Sequence, residues 1–146
     1  MPYLNLRQIK PMHIKSIGAI SLLLVLAATA RGDATAYAQL LKERDAVLAK
    51  IVAHHEGKRA AGIVDDEAMF SAQLALYSFR RDSSELKEEK LRLQEQIVSL
   101  HEKRLLGVKA RVQSGRSDPV EVLQATDSLL AAKQSLEAMR STEKKG

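Results

Sequence analysis

Two stretches of this chain carry mostly apolar residues at alternating intervals of three and four, and this spacing restricts the fold more than any other feature. One seam consists of Val122, Ala125, Leu129, Ala132, Leu136 and Met139, and the other of Met69, Ala72, Leu76, Phe79, Ser83 and Leu86. A period of 3.5 residues keeps one narrow stripe facing a partner helix. We therefore expect helix contacts through the larger seam residues: Met69, Leu76, Phe79, Val122, Leu129 and Leu136.

The seams belong to an internal repeat with an offset of 53 residues. Gly62 aligns with Gly115 and Asp65 with Asp118, each pair just before a seam. Each copy is thus a helical stretch, a Gly turn and a second helical stretch. Aromatic residues make up only 3% of the 146 residues and Trp is absent, which favours narrow helix contacts over a large globular core.

The layout of the helices has two interpretations. No Gly or Pro occurs from residue 63 to 106, and the first seam continues in phase to Leu100. This favours an all-α fold of elongated antiparallel coiled-coil helices: a short helix over about 34–60, a long central helix over 65–113 and a short helix over 119–142. The alternative is a four-helix up-down bundle, with the centre broken near residues 81–84 and capped by Asp82 and Glu85.

The first 30 residues resemble a secretory signal peptide. Basic residues precede an uncharged apolar run, IGAISLLLVLAATA, which ends in the small-x-small pattern Ala28-Thr29-Ala30. As a helix this run would rise about 21 Å, short of a hydrocarbon core of about 30 Å. The pattern predicts export, with a periplasm as the expected compartment, and a coiled-coil domain over 31–146. Translation from Met12 would leave a more typical leader.

Charge and cysteine content exclude several classes of partner and of structural site. Residues 31–146 hold 20 Lys and Arg against 18 Asp and Glu with the signs interspersed, so we expect no nucleic-acid partner. The chain has no Cys, which excludes disulfides and thiolate metal sites. No small-molecule substrate is evident, and membrane contact is expected only through a partner or an uncleaved leader.

Residues with catalytic or metal-binding chemistry do not converge in the sequence. His54 and His55 are adjacent, so on a helix they point about 100° apart and do not chelate one metal together. The acidic run that starts at Asp65 suits a helix N-terminus for dipole reasons. We expect no enzyme, no cofactor and no metal site.

The turn residues are well specified. Gly62 and Gly115 each follow a basic helix end, as a left-handed C-cap glycine does. Asp65 and the pair Ser117 and Asp118 are suited to cap the following helices. These five residues are the predicted turn and interaction residues.

The second turn resembles a known family. Arg111-x-x-x-Gly115-x-Ser117, followed by Val122-Leu123-x-Ala125 and then Leu129, Ala132 and Leu136, is similar to the helical hairpin of outer-membrane efflux proteins, the TolC family. The resemblance implies paired periplasmic helices, associated with the outer membrane, whose Gly turns meet the helical hairpin of an adaptor protein. It covers about thirty residues and, more weakly, the first copy, without the family's transmembrane β-strands. In that family the tips share one end, whereas a continuous central helix would separate them.

These observations predict a structural or protein-interaction role in the envelope, in an efflux or transport assembly. The partner would be an adaptor-like helical envelope protein or a second copy of the chain. The alternative function is a periplasmic holdase-type chaperone or an envelope stress sensor.

Overall fold

Four α-helices make up nearly all of the described chain. The computed structural model describes residues 17–63 and 65–143, with side chains for 34–63 and 65–141. The helices are α1 (Ile17–Ala60), α2 (Asp66–Ser83), α3 (Lys87–Gln113) and α4 (Pro119–Glu143). No strand occurs among these residues. The predicted all-α fold class is therefore confirmed.

The predicted leader, residues 1–30, falls outside the part of the chain whose side chains are described, and residues 1–16 lie outside the described residues altogether. The chain divides into two compact units, Met1–Leu40 and Leu41–Gly146. In the first unit, the described side chains of residues 34–40 are exposed.

In the second unit, α1 pairs with α2 mainly through polar contacts. The guanidinium of Arg80 holds the Asp45 carboxylate, with Nε to Oδ1 at 2.6 Å, and this hydrogen bond lowers the pKa of Asp45. One residue earlier on each helix, the Arg44 guanidinium lies 4.9 Å from the centre of the Phe79 ring. No side chain of α1 between residues 34 and 60 is buried. This pairing therefore adds little to the apolar core.

The core lies where α3 packs between α2 and α4. Its buried apolar residues are Met69, Ala72 and Leu76 from α2, Leu93, Ile97, Val98, Leu100 and Val108 from α3, and Ala125, Leu129, Ala132 and Leu136 from α4. Most of these residues follow the intervals of three and four seen in the sequence. Burying a Leu or Ile side chain contributes roughly 1.5–3 kcal/mol, so this layer supplies most of the stabilisation.

A buried glutamine ties three helices together at the centre of this core. Gln94 on α3 is 1% exposed. Its Oε1 accepts a hydrogen bond from Arg81 Nη1 on α2 at 2.6 Å, and its Nε2 donates to the carbonyl oxygen of Ala132 on α4 at 2.8 Å. Because a buried amide without partners is costly, these two bonds favour one relative position of α2, α3 and α4.

The predicted continuous central helix is wrong, and the four-helix alternative describes the chain. Residues 84–86 are not helical, and Ser84 has the extended backbone angles φ −73° and ψ 139°. The predicted capping box of Asp82 and Glu85 does not form, because the residue that precedes α3 is Leu86. The backbone N–H of Leu86 donates a hydrogen bond to the Ser84 hydroxyl at 3.2 Å. Leu86 itself is 72% exposed.

The break has a clear physical reason. A connection of three residues suits two antiparallel neighbouring helices. By reversing direction there, α2 and α3 bury their seams against each other, whereas one long helix would leave both seams without this contact. The seam continued in phase across the break only because each helix carries its own seam.

Distance measurements distinguish the hairpin from a continuous helix. Spin labels on the full chain carrying Ser71→Cys and Lys103→Cys should lie within roughly 25 Å, because packed helices are about 10 Å apart. A continuous helix would place them about 48 Å apart at 1.5 Å per residue. Since the chain has no Cys, the introduced thiols are the only labelled positions.

The matched control carries Ser99→Cys and Gln113→Cys, both on α3. These labels should lie about 21 Å apart in either arrangement. A distance near 48 Å for the first pair, with the control unchanged, would refute the hairpin.

Candidate functional site

Both glycine turns lie at the same end of the second unit. The start of α2 faces the end of α3, since Glu67 and Arg104 pair at 2.7 Å. The end of α3 faces the start of α4, where Arg111 Nη2 lies 3.7 Å from a carboxylate oxygen of Glu121. We call the segments 61–63, 65 and 114–120 the turn end. The connection at 84–86 lies at the opposite end.

The two turns have the same backbone hydrogen bonds. Gly62 and Gly115 have φ angles of 80° and 69°, in the left-handed region that favours glycine. The N–H of Gly62 donates to the carbonyl of Arg59, and that of Ile63 donates to the carbonyl of Lys58. The bonds of Gly115 and Arg116 to the carbonyls of Val112 and Arg111 repeat this pattern 53 positions later. Each turn is a Schellman motif, which satisfies the last carbonyls of its helix.

Aspartates cap the two helices that follow. Asp65 Oδ1 accepts from the backbone N–H of Ala68 at 2.9 Å, and Asp118 Oδ1 accepts from that of Val120 at 2.8 Å. Helix α4 begins at Pro119, where a missing N–H has no cost. The caps make the exit of each turn as well defined as its entry.

Arg111 stabilises the second turn through a hydrogen bond, although it was not among the five predicted turn residues. Its Nε lies 3.3 Å from the Ser117 hydroxyl, which accepts the hydrogen bond. The same guanidinium reaches toward Glu121. The signal was present in the sequence, because Arg111 opens the spacing that carries the family resemblance.

The predicted seam residues divide into two groups in the structure. Met69, Leu76, Leu129 and Leu136 are buried in the core. Phe79 and Val122 are half-buried, and the ring of Phe79 packs against the Arg44 guanidinium in a cation–π contact. The turn residues Gly62, Asp65, Gly115 and Asp118 are exposed, and Ser117 is half-buried.

A groove of about 290 Å³ opens beside the turn end, between the end of α1, the start of α2 and the end of α3. Its charged lining residues are Arg59, Asp66, Glu67, Lys103, Arg104 and Arg111. Small-molecule sites are usually lined mainly by apolar and aromatic groups. This lining instead combines six charged side chains with the apolar side chains of Met69, Phe70 and Leu100.

His101 lies on α3 near this groove in a sheltered position. Its ring meets Phe70 edge to face, with centroids 5.2 Å apart, and its Nδ1 is buried without a hydrogen-bond partner. Burial, and secondarily the positive charge of Arg104, lower the pKa of His101 below its ordinary value of 6.5. The neutral imidazole therefore acts as a packing group in the contact between α2 and α3.

Two exposed apolar residues at the turn end escaped the sequence analysis. Ile63 follows Gly62 and is 60% exposed, and Val120 in the first turn of α4 is 52% exposed. The residue after a Schellman glycine often packs back on its own helix. Their exposure makes the turn end partly apolar, which the polar turn residues alone did not indicate.

The chemical groups present at this end are two turns with defined backbone geometry, charged side chains and a few exposed apolar side chains. Within residues 17–63 and 65–143, no three His, Asp or Glu side chains converge as metal ligands. His54 and His55 contact each other edge to face, with ring centroids 5.7 Å apart. In the same part of the chain, no helix has both the length and the apolar character to cross a bilayer.

Comparison with protein-family models, with curated proteins and with solved structures finds no match to this chain.

Replacement of the turn glycine should destabilise the fold, whereas the same change in a helix should not. Gly115→Ala should lower the free energy of unfolding by roughly 1–2 kcal/mol, because a Cβ strains the left-handed backbone even where space is open. Gly57→Ala is the matched control: it has open space and lies within α1, so it should stabilise by up to about 1 kcal/mol. Urea unfolding followed by circular dichroism measures both changes, and equal effects would contradict the assigned turn geometry.

Stability should depend on pH through His101. Because the pKa of His101 is lower in the folded than in the unfolded state, the unfolded state binds more protons below pH about 6.5. The contribution of His101 is therefore present above that pH and is lost as the pH falls toward the folded pKa. The variant His101→Leu introduces the residue that the first copy of the repeat has at the equivalent position, Leu48. In this variant the free energy of unfolding should fall less between pH 7 and pH 5 than in the wild type. Equal pH slopes for both proteins in urea unfolding would rule this out.

Proposed function

We propose that this chain is an exported, non-enzymatic coiled-coil protein that binds a helical envelope protein through its turn end, within an efflux or transport assembly. The single observation that carries the proposal is that two turns of the same geometry lie side by side at one end. In outer-membrane efflux proteins, which the second turn resembles, the helix tips also share one end. The broken central helix removes the main conflict with that resemblance.

The surface at this end suits a helical partner. It combines the exposed apolar side chains of Ile63 and Val120 with the charged side chain of Arg116 and the charged groove beside them. A partner helix can bury the apolar groups while its own charges meet the groove. Interfaces commonly combine a small apolar centre with a polar rim in this way.

Stiff turns also favour a binding role. Each turn is held by two backbone hydrogen bonds, a left-handed glycine and an aspartate cap, so little conformational freedom remains to be lost on binding. Rigid binding surfaces gain affinity because the ordering cost is already met in the free protein.

Site-specific photo-crosslinking in the native cell tests this proposal. A photoreactive amino acid at position 63 or 120 should crosslink to a helical envelope protein, because both side chains are exposed at the turn end. The control position is Leu86, which is exposed to a similar degree at the opposite end. Position 86 should give no crosslink to that protein.

Three outcomes are informative. Crosslinks from 63 and 120 alone, to a protein recovered in the periplasmic fraction, support the proposal. Equal crosslinks from position 86, or none from the turn end, contradict it. Crosslinks from all positions to many unfolded proteins would favour the chaperone alternative instead.

A further inference from the structure

The groove beside the turn end carries more positive than negative charge. Four of its six charged lining residues are basic and two are acidic. Glu67, one of the acidic residues, is neutralised by Arg104, with which it pairs at 2.7 Å. Arg59 and Lys103 also line the groove, and within the described part of the chain neither side chain has an ion-pair partner. The groove therefore presents unpaired positive charge.

The remaining carboxylates do not cancel this charge. Asp66 lies in the first turn of α2, where the helix dipole already presents partial positive charge. Glu121, outside the groove, approaches Nη2 of Arg111 only to 3.7 Å, which is too long for a hydrogen bond. Four basic against two acidic lining residues leave an excess of two positive charges, which matches an anion that carries two negative charges.

A glycine inside helix α3 keeps the groove open between two of its cations. Gly107 follows Lys103 by four positions and precedes Arg111 by four, so all three share one face of the helix. Glycine in a helix interior is unfavourable relative to alanine. Among the described residues no other segment approaches closely enough to require it, because a Cβ added at Gly107 would meet only Nη1 of Arg111, at 3.9 Å. The effect of the glycine is open space beside the guanidinium.

This arrangement is not a property of the internal repeat. The position equivalent to Gly107 in the first copy is His54, and the position equivalent to Arg104 is Ile51. The open, basic face is thus specific to the end of α3.

An aromatic ring lies beside the charged lining. Phe70 on α2 is half-buried, and the Arg104 guanidinium lies 4.9 Å from the centre of its ring. Together with the pair to Glu67, this contact holds Arg104 in place before a ligand arrives. A guanidinium has five N–H donors, so Arg104 retains donors for an oxyanion. The ring of Phe70 offers an apolar surface next to them.

We propose that this groove binds a phosphate monoester that carries a small apolar group. At neutral pH such a phosphate has a charge of about −1.5 to −2 and three acceptor oxygens, which suit several basic side chains at once. The groove volume of about 290 Å³ lies at the lower end for ligand sites and fits a phosphate with a single ring. The sequence alone does not indicate this site, because its residues come from three helices. The ligand contacts neither Ile63 nor Val120, so the inference does not depend on the function proposed for the turn end.

Isothermal titration calorimetry of the full chain with phenyl phosphate tests the proposal, in a phosphate-free buffer of low salt at about pH 7.5. Phenyl phosphate should bind at one saturable site. Benzenesulfonate, which has the same ring but a single negative charge, should bind about 10-fold more weakly. Inorganic phosphate should also bind more weakly, because it makes no contact with Phe70. Absence of saturable binding of phenyl phosphate overturns the proposal, and so does equal affinity for benzenesulfonate.

A pair of lysine variants separates the groove from general charge attraction. Lys103→Gln should weaken the binding of phenyl phosphate about 10-fold, because it removes an unpaired charge from the lining. Lys109→Gln is the matched control, since Lys109 is an exposed lysine of the same helix that does not line the groove. Its affinity should equal that of the wild type. Equal losses in the two variants would refute the assigned site.

A pair of glycine variants tests the open space. Gly107→Leu should abolish binding, because the new side chain occupies the space between Lys103 and Arg111. The urea midpoint should not fall, since leucine favours a helix more than glycine does and the Cβ position is open. Gly57→Leu is the matched control: Gly57 is a helical glycine of α1 with open space, outside the groove lining. It should bind as the wild type does, and wild-type affinity in Gly107→Leu would overturn the proposal.

A lipid arm identifies the source of the phosphate. Phosphatidic acid carries a phosphate monoester, whereas phosphatidylglycerol, also anionic, carries a diester. Stronger cosedimentation with phosphatidic acid vesicles that Lys103→Gln abolishes would assign a lipid headgroup. Equal cosedimentation with both vesicles, together with binding of phenyl phosphate, would assign a soluble phosphate. Because Gly107→Leu leaves Ile63 and Val120 unaltered, crosslinking from position 63 in that variant tests the proposed function separately.

Discussion

The packing of α3 between α2 and α4 is the contact on which the rest of the structure depends. It buries apolar side chains on two sides of one helix, and Gln94 at its centre bonds to both neighbours. Most of the stability of helices in proteins comes from packing of an apolar face rather than from helix propensity, so these helices depend on this burial. Once the three helices are aligned in this way, the start of α2 and the end of α3 must lie together, and the two glycine turns share one end.

The repeat explains why the halves of the chain resemble each other locally but differ in packing. Helix α1 ends at Ala60 and α3 at Gln113, while α2 begins at Asp66 and α4 at Pro119, so both boundaries are 53 positions apart. Yet α3 is buried on two sides, whereas the described part of α1 holds polar groups toward α2 and exposed aliphatic groups elsewhere. The first helix of the repeat thus lies at the centre of the core in the second half of the chain, as α3, and at its edge in the first half, as α1.

Local sequence signals predicted the turns well because their physics is local. A left-handed glycine after a basic helix end, followed by an aspartate that can cap the next helix, involves residues within one turn of each other. The seams were equally predictable from the sequence, because a 3.5-residue period is a property of a single helix. The contribution of Arg111 and the exposure of Ile63 were not predicted, because each depends on how several segments approach one another.

The sequence by itself determined that the chain is helical, where its glycine turns lie and which stripes are apolar. Only the tertiary structure decided that the centre is two helices rather than one. The signal at residues 84–86 was weak, because no Gly or Pro marks it and Leu86 continues the seam in phase. The gain that breaks the helix there is the burial of α2 against α3, and such a gain between distant residues has no counterpart in the local pattern.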